Sequence, residues 1–229
     1  RVGGDVAGGT MSIVLKRVTT QGVRTAFYAL VRELWLQSRH FRSLLKARRL
    51  GSQGLKLNVG CGPNIKPGWV NIDFSPEADL SLDLREPLPF ADGSVDTIYS
   101  EHFFEHLEFP CQARQFLQES LRILAPGGLF SVGVPDTEWP LKAYANDDDE
   151  YFDFVRANWH PAWCNTKMHN INFHFRQGAE HKYAYDYETL AQVLEAEGFV
   201  LVSRRAFDPA LDSETRREGG LYVDARKEI

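Results

Sequence analysis

The chain has 229 residues, 43% hydrophobic and 25% charged, which suits one soluble globular domain with a sizeable core and excludes a fibrous or disordered chain. No apolar run reaches the roughly 18 residues that a membrane span needs. Cys61, Cys111 and Cys164 are widely spaced and form no C-x-x-C pair, which excludes a disulfide scaffold and points to a reducing cytoplasm.

The net charge of -5 is divided unevenly. Residues 11–54 hold nine Lys/Arg against Glu33 alone, whereas residues 55–229 hold 16 basic and 29 acidic side chains. The acidic body is a poor surface for phosphate backbones, so no nucleic-acid partner is expected. Residues 1–10, RVGGDVAGGT, precede Met11 and lack the apolar segment of a signal peptide; they read as a leader outside the fold.

From residue 11 to about Gly51 the chain reads as a basic amphipathic helix. Val23, Phe27, Leu30, Leu34, Phe41 and Leu45 recur at helical spacing, and Arg32, Arg39, Arg42, Lys46 and Arg49 form a second stripe. Two readings follow. The helix packs its apolar face on the body, or it lies peripherally on the inner face of an anionic membrane through residues 11–50.

After Leu55 strands alternate with loops and helices. LKLNVG, WVNIDF and VDTIYS read as buried strands, and Pro110 opens a helix carrying Ala113, Leu117, Leu121 and Leu124. APGG at 125–128 stops that helix, and LFSVGVP follows as a strand. A second helix runs from an Asp186 N-cap to Gly198, and FVLVSRRAF and GGLYVDARK close the chain as paired strands. This alternation predicts an α/β fold with a mostly parallel sheet and ligands at the strand carboxyl ends.

The candidate ligand site starts at Leu57-Asn58-Val59-Gly60-Cys61-Gly62, where glycines directly after a strand permit a tight turn and close approach to a ligand. Asp73 ends the next strand, placed to accept hydrogen bonds from two ribose hydroxyls. It comes only 11 residues after Gly62, too soon for a dinucleotide fold. Asp83-Leu84 suits the edge of an adenine, and Ser100, Glu101 and His102 end a further strand. EHFFEHLE, residues 101–108, raises a rival reading. His102, Glu105 and His106 spell H-x-x-E-H, which on a helix would grip a zinc ion with the glutamate as base.

LNVGCGPNIKPGWVNIDFSPEADLSLDLREPLPFADGSVDTIYSEHFFEHL resembles the class I S-adenosylmethionine-dependent methyltransferases. Within them it is most similar to the type 11 group linked to bacterial cell-surface glycan synthesis. The resemblance is strong over about Leu55–Pro135 and loose over Tyr183–Lys227. It implies a doubly wound, mostly parallel seven-stranded Rossmann-like sheet in a domain at 55–229. The N-terminal basic helical extension (11–54) and the aromatic-rich insertion or lid at 137–182 are not explained by it. The resemblance implies S-adenosylmethionine as cofactor. Gly60, Cys61 and Gly62 would lie against its methionine part, Asp73 and Phe74 at the ribose, Asp83 and Leu84 at the adenine, and Ser100, Glu101 and His102 near the sulfonium. Asn58 stands where most relatives carry an acid, and the helix after the glycine turn looks short or absent.

On this reading EHFFEHLE is helix and cofactor-site sequence, and no metal is expected. Residues 137–187 contain 12 of the 28 aromatics and four of the seven histidines, which suits a satellite core or a lid with faces for a sugar. His160, Cys164, His169 and His174 match no established zinc spacing. The expected activity is methyl transfer to a hydroxyl of a small-molecule, sugar or glycan acceptor, in polysaccharide biosynthesis, with His102, Asp136 and His181 as candidate catalytic residues. A non-catalytic cofactor-binding scaffold is the alternative, and a metal-dependent hydrolase the third.

Overall fold

The computed structural model describes residues 19–51 and 53–229. The expected leader and residues 11–18 of the basic head lie outside the described residues. One six-stranded sheet runs in the order β2-β1-β3-β4-β6-β5. Its strands are β1 (Leu55–Val59), β2 (Val70–Ile72), β3 (Val95–Glu101), β4 (Leu124–Pro135), β5 (Val200–Arg205) and β6 (Gly220–Arg226). The first four are parallel, and β6 is antiparallel to both β4 and β5.

The central strands are apolar on both faces because helices cover both. Leu57, Val59, Ile98, Phe130, Val132 and Val134 join one continuous core with Phe116, Leu117, Leu190 and Leu194 from the helices. Those helices are α2 (Cys111–Ile123) and α6 (Tyr187–Glu197). Asp186 caps α6 by accepting from the Thr189 N–H at 2.8 Å, and Gly198 closes it at φ 104°. Leu124, expected on the face of α2, instead opens β4 opposite Val95. Between β1 and β2 the chain makes only turns, as expected.

Seven strands were expected, and the described sheet has six. Where a seventh would pair with β2, Leu80 makes a single parallel bridge to Ile72 and the chain leaves the sheet. Helix α1 (Gln21–Ala47) takes over the hydrogen bonds of that edge. Ser43 Oγ accepts from the Ser81 N–H at 2.8 Å, His40 Nδ1 accepts from the Asp83 N–H at 2.9 Å, and Arg39 donates to Ser81 Oγ at 2.8 Å.

That docking reverses the expected orientation of α1. Leu36, His40, Ser43 and Ala47 face the body, because only this mixed face can satisfy the polar edge. Val23, Phe27, Leu30, Leu34, Phe41 and Leu45 point outward and are 48–62% exposed. Part of the basic stripe is spent inward: Arg39 donates to Ser75 O at 3.2 Å and Lys46 to Asp79 O at 2.6 Å.

The insertion folds as three short helices, α3 (Glu138–Ala145), α4 (Asp149–Asn158) and α5 (Lys167–Arg176). They enclose a second small core of Ala143, Tyr151, Phe152 and Val155, with Trp139, Phe154 and Ile171 packed against it.

Candidate active site

At the carboxyl ends of β1 and β2 lies a groove of about 770 Å³, lined by Gly60, Asp73, Phe74, Asp83, Leu84, Phe103 and His106. Gly60 adopts φ 65°, and a Cβ there would come within 2.4 Å of Phe103 Cβ. Only glycine therefore lets the turn pass under the Phe103 ring, which forms the groove wall. Asp73 braces the turn: its Oδ2 accepts from the Gly62 N–H at 3.0 Å and its Oδ1 from the Ser75 N–H at 2.7 Å. A carboxylate has about four acceptor sites, so Asp73 retains capacity to bind hydroxyls in the groove.

Asp83 lines the groove, but its carboxylate is taken by Arg85. Nε donates to Oδ1 at 2.9 Å and Nη2 to Oδ2 at 2.7 Å. Burial would raise its pKa, yet these hydrogen bonds hold the carboxyl below its ordinary value. Arg85 also reaches Glu33 of α1 at 3.0 Å. Arg32, Glu33 and Leu36 thus complete the wall on the Asp83 side, and Ala179, Glu180 and Lys182 also line the groove. Sequence reasoning missed both groups, because neither is adjacent in sequence to the strand ends.

The expected cofactor residues Asn58, Cys61, Ser100 and Glu101 do not line the groove. Asn58 is buried and donates to Asn64 O at 2.8 Å and to Asn71 Oδ1 at 2.9 Å, knitting the glycine loop to β2. Cys61 is buried too, its thiol pushed up to about 12 by burial and by the Asp73 charge. Glu101 ties β3 to the segment before β6: it accepts from the Ser213 N–H at 3.0 Å and from Tyr222 OH at 3.2 Å. Ser100 is fully buried, with no partner for its hydroxyl.

Beside the groove is a second cavity of about 240 Å³, lined by His102, His160, His174 and His181 with Trp159, Phe173 and Arg216. His102 leaves β3 at φ 52°, a conformation rare for a non-glycine residue, fixed by its N–H donating to Gly133 O at 2.8 Å. Its Nε2 is buried and has no partner. Burial pushes the pKa of His102 well below the ordinary value, with Arg216 adding to the effect, and burial also lowers His106 and His181. Asp136 is not here. Its Oδ1 accepts from the Glu138 N–H at 2.9 Å and its Oδ2 pairs with Arg204 at 3.5 Å, in a separate cleft with Arg205 and Phe207.

Groove and cavity share a wall built from EHFFEHLE. The expected helix there is a single 3-10 turn, Phe104–His106, and His102 lies outside it. Glu105 is 2% exposed, and burial pushes its carboxyl up to about 8. His102 Nδ1 lies 3.7 Å from Glu105 Oε1, and His106 Nε2 and His181 Nε2 each lie 3.9 Å from it. The other sequence-level quartet scatters. His160 and His174 line the cavity, His169 turns to Asn165 Oδ1 at 2.9 Å, and Cys164 Sγ faces His169 O.

Residues 57–132 match the family described as methyltransferase domain. A curated relative, an uncharacterized 37.1 kDa protein in a transposon of Streptomyces fradiae, is 30% identical over 105 residues, covering 35% of this chain and 30% of that protein. This chain therefore spans under a third of that relative. A methyltransferase described as S-adenosylmethionine-dependent, from Methanosarcina mazei, aligns at 16% identity over 81% of this chain and 97% of its own, with TM-score 0.48. Another from Archaeoglobus fulgidus aligns at 17% over 87% and 100%, with TM-score 0.46. The family match, on a Rossmann-like mixed sheet of six strands, supports a methyltransferase domain with S-adenosylmethionine as its cofactor.

Proposed function

We propose that this protein holds S-adenosylmethionine in the groove and methylates a hydroxyl of a sugar or glycan intermediate held in the adjoining cavity, in polysaccharide biosynthesis in the cytoplasm. The observation that carries this reading is the shared wall: a groove of cofactor size and a histidine-lined cavity meet at residues 102–106. The Gly60 turn, closed to any side chain, and the Asp73 carboxylate fit the cofactor's methionine and ribose parts. When bound, the cofactor supplies an electrophilic methyl group.

The chain's own task is then to place the acceptor oxygen and take its proton. His102, which lines the cavity and whose Nε2 has no hydrogen-bond partner, accepts that proton, and His181 lines the same cavity. Trp159 and Phe173 offer apolar faces to a sugar ring. Asp136, engaged elsewhere, has no part in this step. Free Cys61, Cys111 and Cys164 support a reducing compartment.

The outward stripe of α1, flanked by exposed Arg32, Arg42 and Arg49, supports peripheral contact with an anionic membrane surface. No described helix is long and apolar enough to cross a membrane.

The test is calorimetry with S-adenosylhomocysteine followed by transfer of labelled methyl to candidate glycan acceptors. Binding without transfer to any hydroxyl acceptor selects the scaffold alternative, and absence of binding rejects both. Sedimentation with phosphatidylserine vesicles checks the membrane contact, which Leu34→Asp should abolish without lowering cofactor affinity.

A further inference from the structure

The wall between groove and cavity contains an arrangement that methyl transfer does not require. Three acceptor atoms converge there. His106 Nδ1 lies 3.2 Å from Glu180 O, and His181 Nδ1 lies 3.1 Å from His174 O. A carbonyl oxygen only accepts, so each Nδ1 carries the proton, and each neutral ring presents a lone pair at Nε2. Both lone pairs face Glu105 Oε1, each at 3.9 Å. Glu105 is 2% exposed and neither of its oxygens has a hydrogen-bond partner. The buried, unpartnered carboxyl of Glu105 thus faces two imidazole lone pairs, and a cation placed between them would satisfy all three.

We propose that Glu105, His106 and His181 form a binding site for a divalent transition metal, zinc foremost. The three ligand atoms all lie within 4.8 Å of one another. Ligand bonds of about 2.0–2.2 Å in a tetrahedral site put donor atoms roughly 3.3–3.6 Å apart, so each carboxylate–imidazole pair at 3.9 Å closes by a few tenths of an ångström and the two imidazoles, within 4.8 Å, by at most about 1.5 Å. Two imidazoles and one carboxylate make the donor set of catalytic zinc, which leaves a fourth position for an exogenous oxygen. The backbone carbonyls of Glu180 and His174 supply the outer support that fixes each ring's tautomer and orientation.

The H-x-x-E-H string thus takes part in a metal site, though not by the helical geometry that motif describes. His102 stays outside the ligand set, and His181 comes from 75 residues beyond His106. His181 also lines the acceptor cavity and His106 the cofactor groove, so the fourth position lies where the two meet. A consequence that rests on the methyl-transfer reading is that the acceptor hydroxyl occupies that position. Bound there, the hydroxyl would be more acidic; as its oxygen bonds to the methyl carbon the sulfonium carbon–sulfur bond would break, S-adenosylhomocysteine would leave, and the hydroxyl proton would pass to His102.

The experiment uses the full chain, treated with chelator, dialysed, and titrated with zinc chloride and separately with cobalt chloride. One equivalent should bind, cobalt giving the visible absorption of a tetrahedral nitrogen–oxygen site. Glu105→Gln, His106→Ala and His181→Ala should each weaken uptake by tenfold or more. Circular dichroism and thermal unfolding report whether each variant is folded. Failure of the wild-type chain to take up either metal overturns the proposal, as does uptake that all three variants retain. A chain that binds S-adenosylhomocysteine but no metal rejects the metal site and leaves the methyltransferase reading standing. Metal uptake without cofactor binding does the reverse.

Discussion

Gly60→Ala is a sharp test of how the cofactor groove is built. Two costs add. Alanine at φ 65° occupies the left-handed region, at about 1–2 kcal/mol. Its Cβ would also sit 2.4 Å from Phe103 Cβ and 2.5 Å from Phe103 Cγ, far inside contact distance. Phe103 has little room to retreat, since its ring packs edge-on against Phe116 at 5.5 Å between centroids, and Phe116 is a fully buried core residue. Overpacking of this kind costs about 1–3 kcal/mol. Together the costs come to about 2–5 kcal/mol, or a fall in Tm of about 4–20 °C for a domain of this size. Thermal unfolding by circular dichroism measures the loss. The two terms separate in a double-mutant cycle with Phe103→Gly, which removes the Cβ that lies 2.4 Å away, so that Gly60→Ala in that background should pay only the backbone cost. Affinity for S-adenosylhomocysteine should fall in the single variant, as Phe103 is displaced into the groove. A Gly60→Ala protein that melts and binds like the wild type would refute this account of the turn.

Three further outcomes are expected. Asp73→Ala removes an acceptor of two backbone N–H groups and the candidate ribose ligand, so S-adenosylhomocysteine should bind about 10–100-fold more weakly by calorimetry, following the ~1.5–3 kcal/mol of a charged hydrogen bond; unchanged affinity rejects the ribose assignment. Ser43→Ala leaves the Ser81 N–H buried without its acceptor, at about 1–3 kcal/mol, and Tm should drop by several degrees; no change would show that α1 does not hold the sheet edge. Asp186 is held below the ordinary carboxyl range by hydrogen bonds from Thr189, so the stabilisation it adds is complete above the unfolded value near pH 4 and is lost as pH falls through the folded one. Asp186→Ala should therefore cost about 1 kcal/mol at pH 7 and less at pH 3, and an equal loss at both pH values contradicts the cap.

The parts of the fold that were legible in the sequence are those set by local pattern. Apolar runs ending in glycine or an acid located β1, β2 and β3, and Asp186 with Gly198 marked both ends of α6. Gly60, Asp73 and Phe74 were legible as groove residues because each follows a strand end, and Asp83 and Leu84 were legible through the family resemblance. Asn58, Ser100 and Glu101 also sit near strand ends but do not line the groove: all three are buried, Asn58 bonded to Asn71 and Glu101 to Ser213 and Tyr222. Whatever depends on distant chain segments was not legible. His181 meets Glu105 only because the insertion returns along the sheet, with Lys182 and Tyr183 donating their N–H groups to Glu105 O at 2.8 and 3.3 Å. Asp136 follows a strand end in sequence, but its carboxylate is drawn to the start of α3 and to Arg204.

The orientation of α1 shows why hydrophobic periodicity misled. Burying its apolar stripe would bring roughly 1.5–3 kcal/mol for each large side chain, so the stripe was expected inward. The surface waiting for the helix is not apolar, however. The chain leaves the sheet after the single Ile72–Leu80 bridge, and the N–H groups of Ser81 and Asp83 need acceptors that no strand supplies. Each N–H left bare in the interior costs about 1–3 kcal/mol. A leucine face offers them nothing, whereas Ser43 and His40 accept from both, and Leu36 and Ala47 fill the space around them. Polar satisfaction at the edge thus decides which face docks, and the apolar face is left outward as a consequence. The same contacts bring Glu33 to Arg85 and close the groove, so an extension outside the segment of family resemblance becomes a wall of the cofactor site.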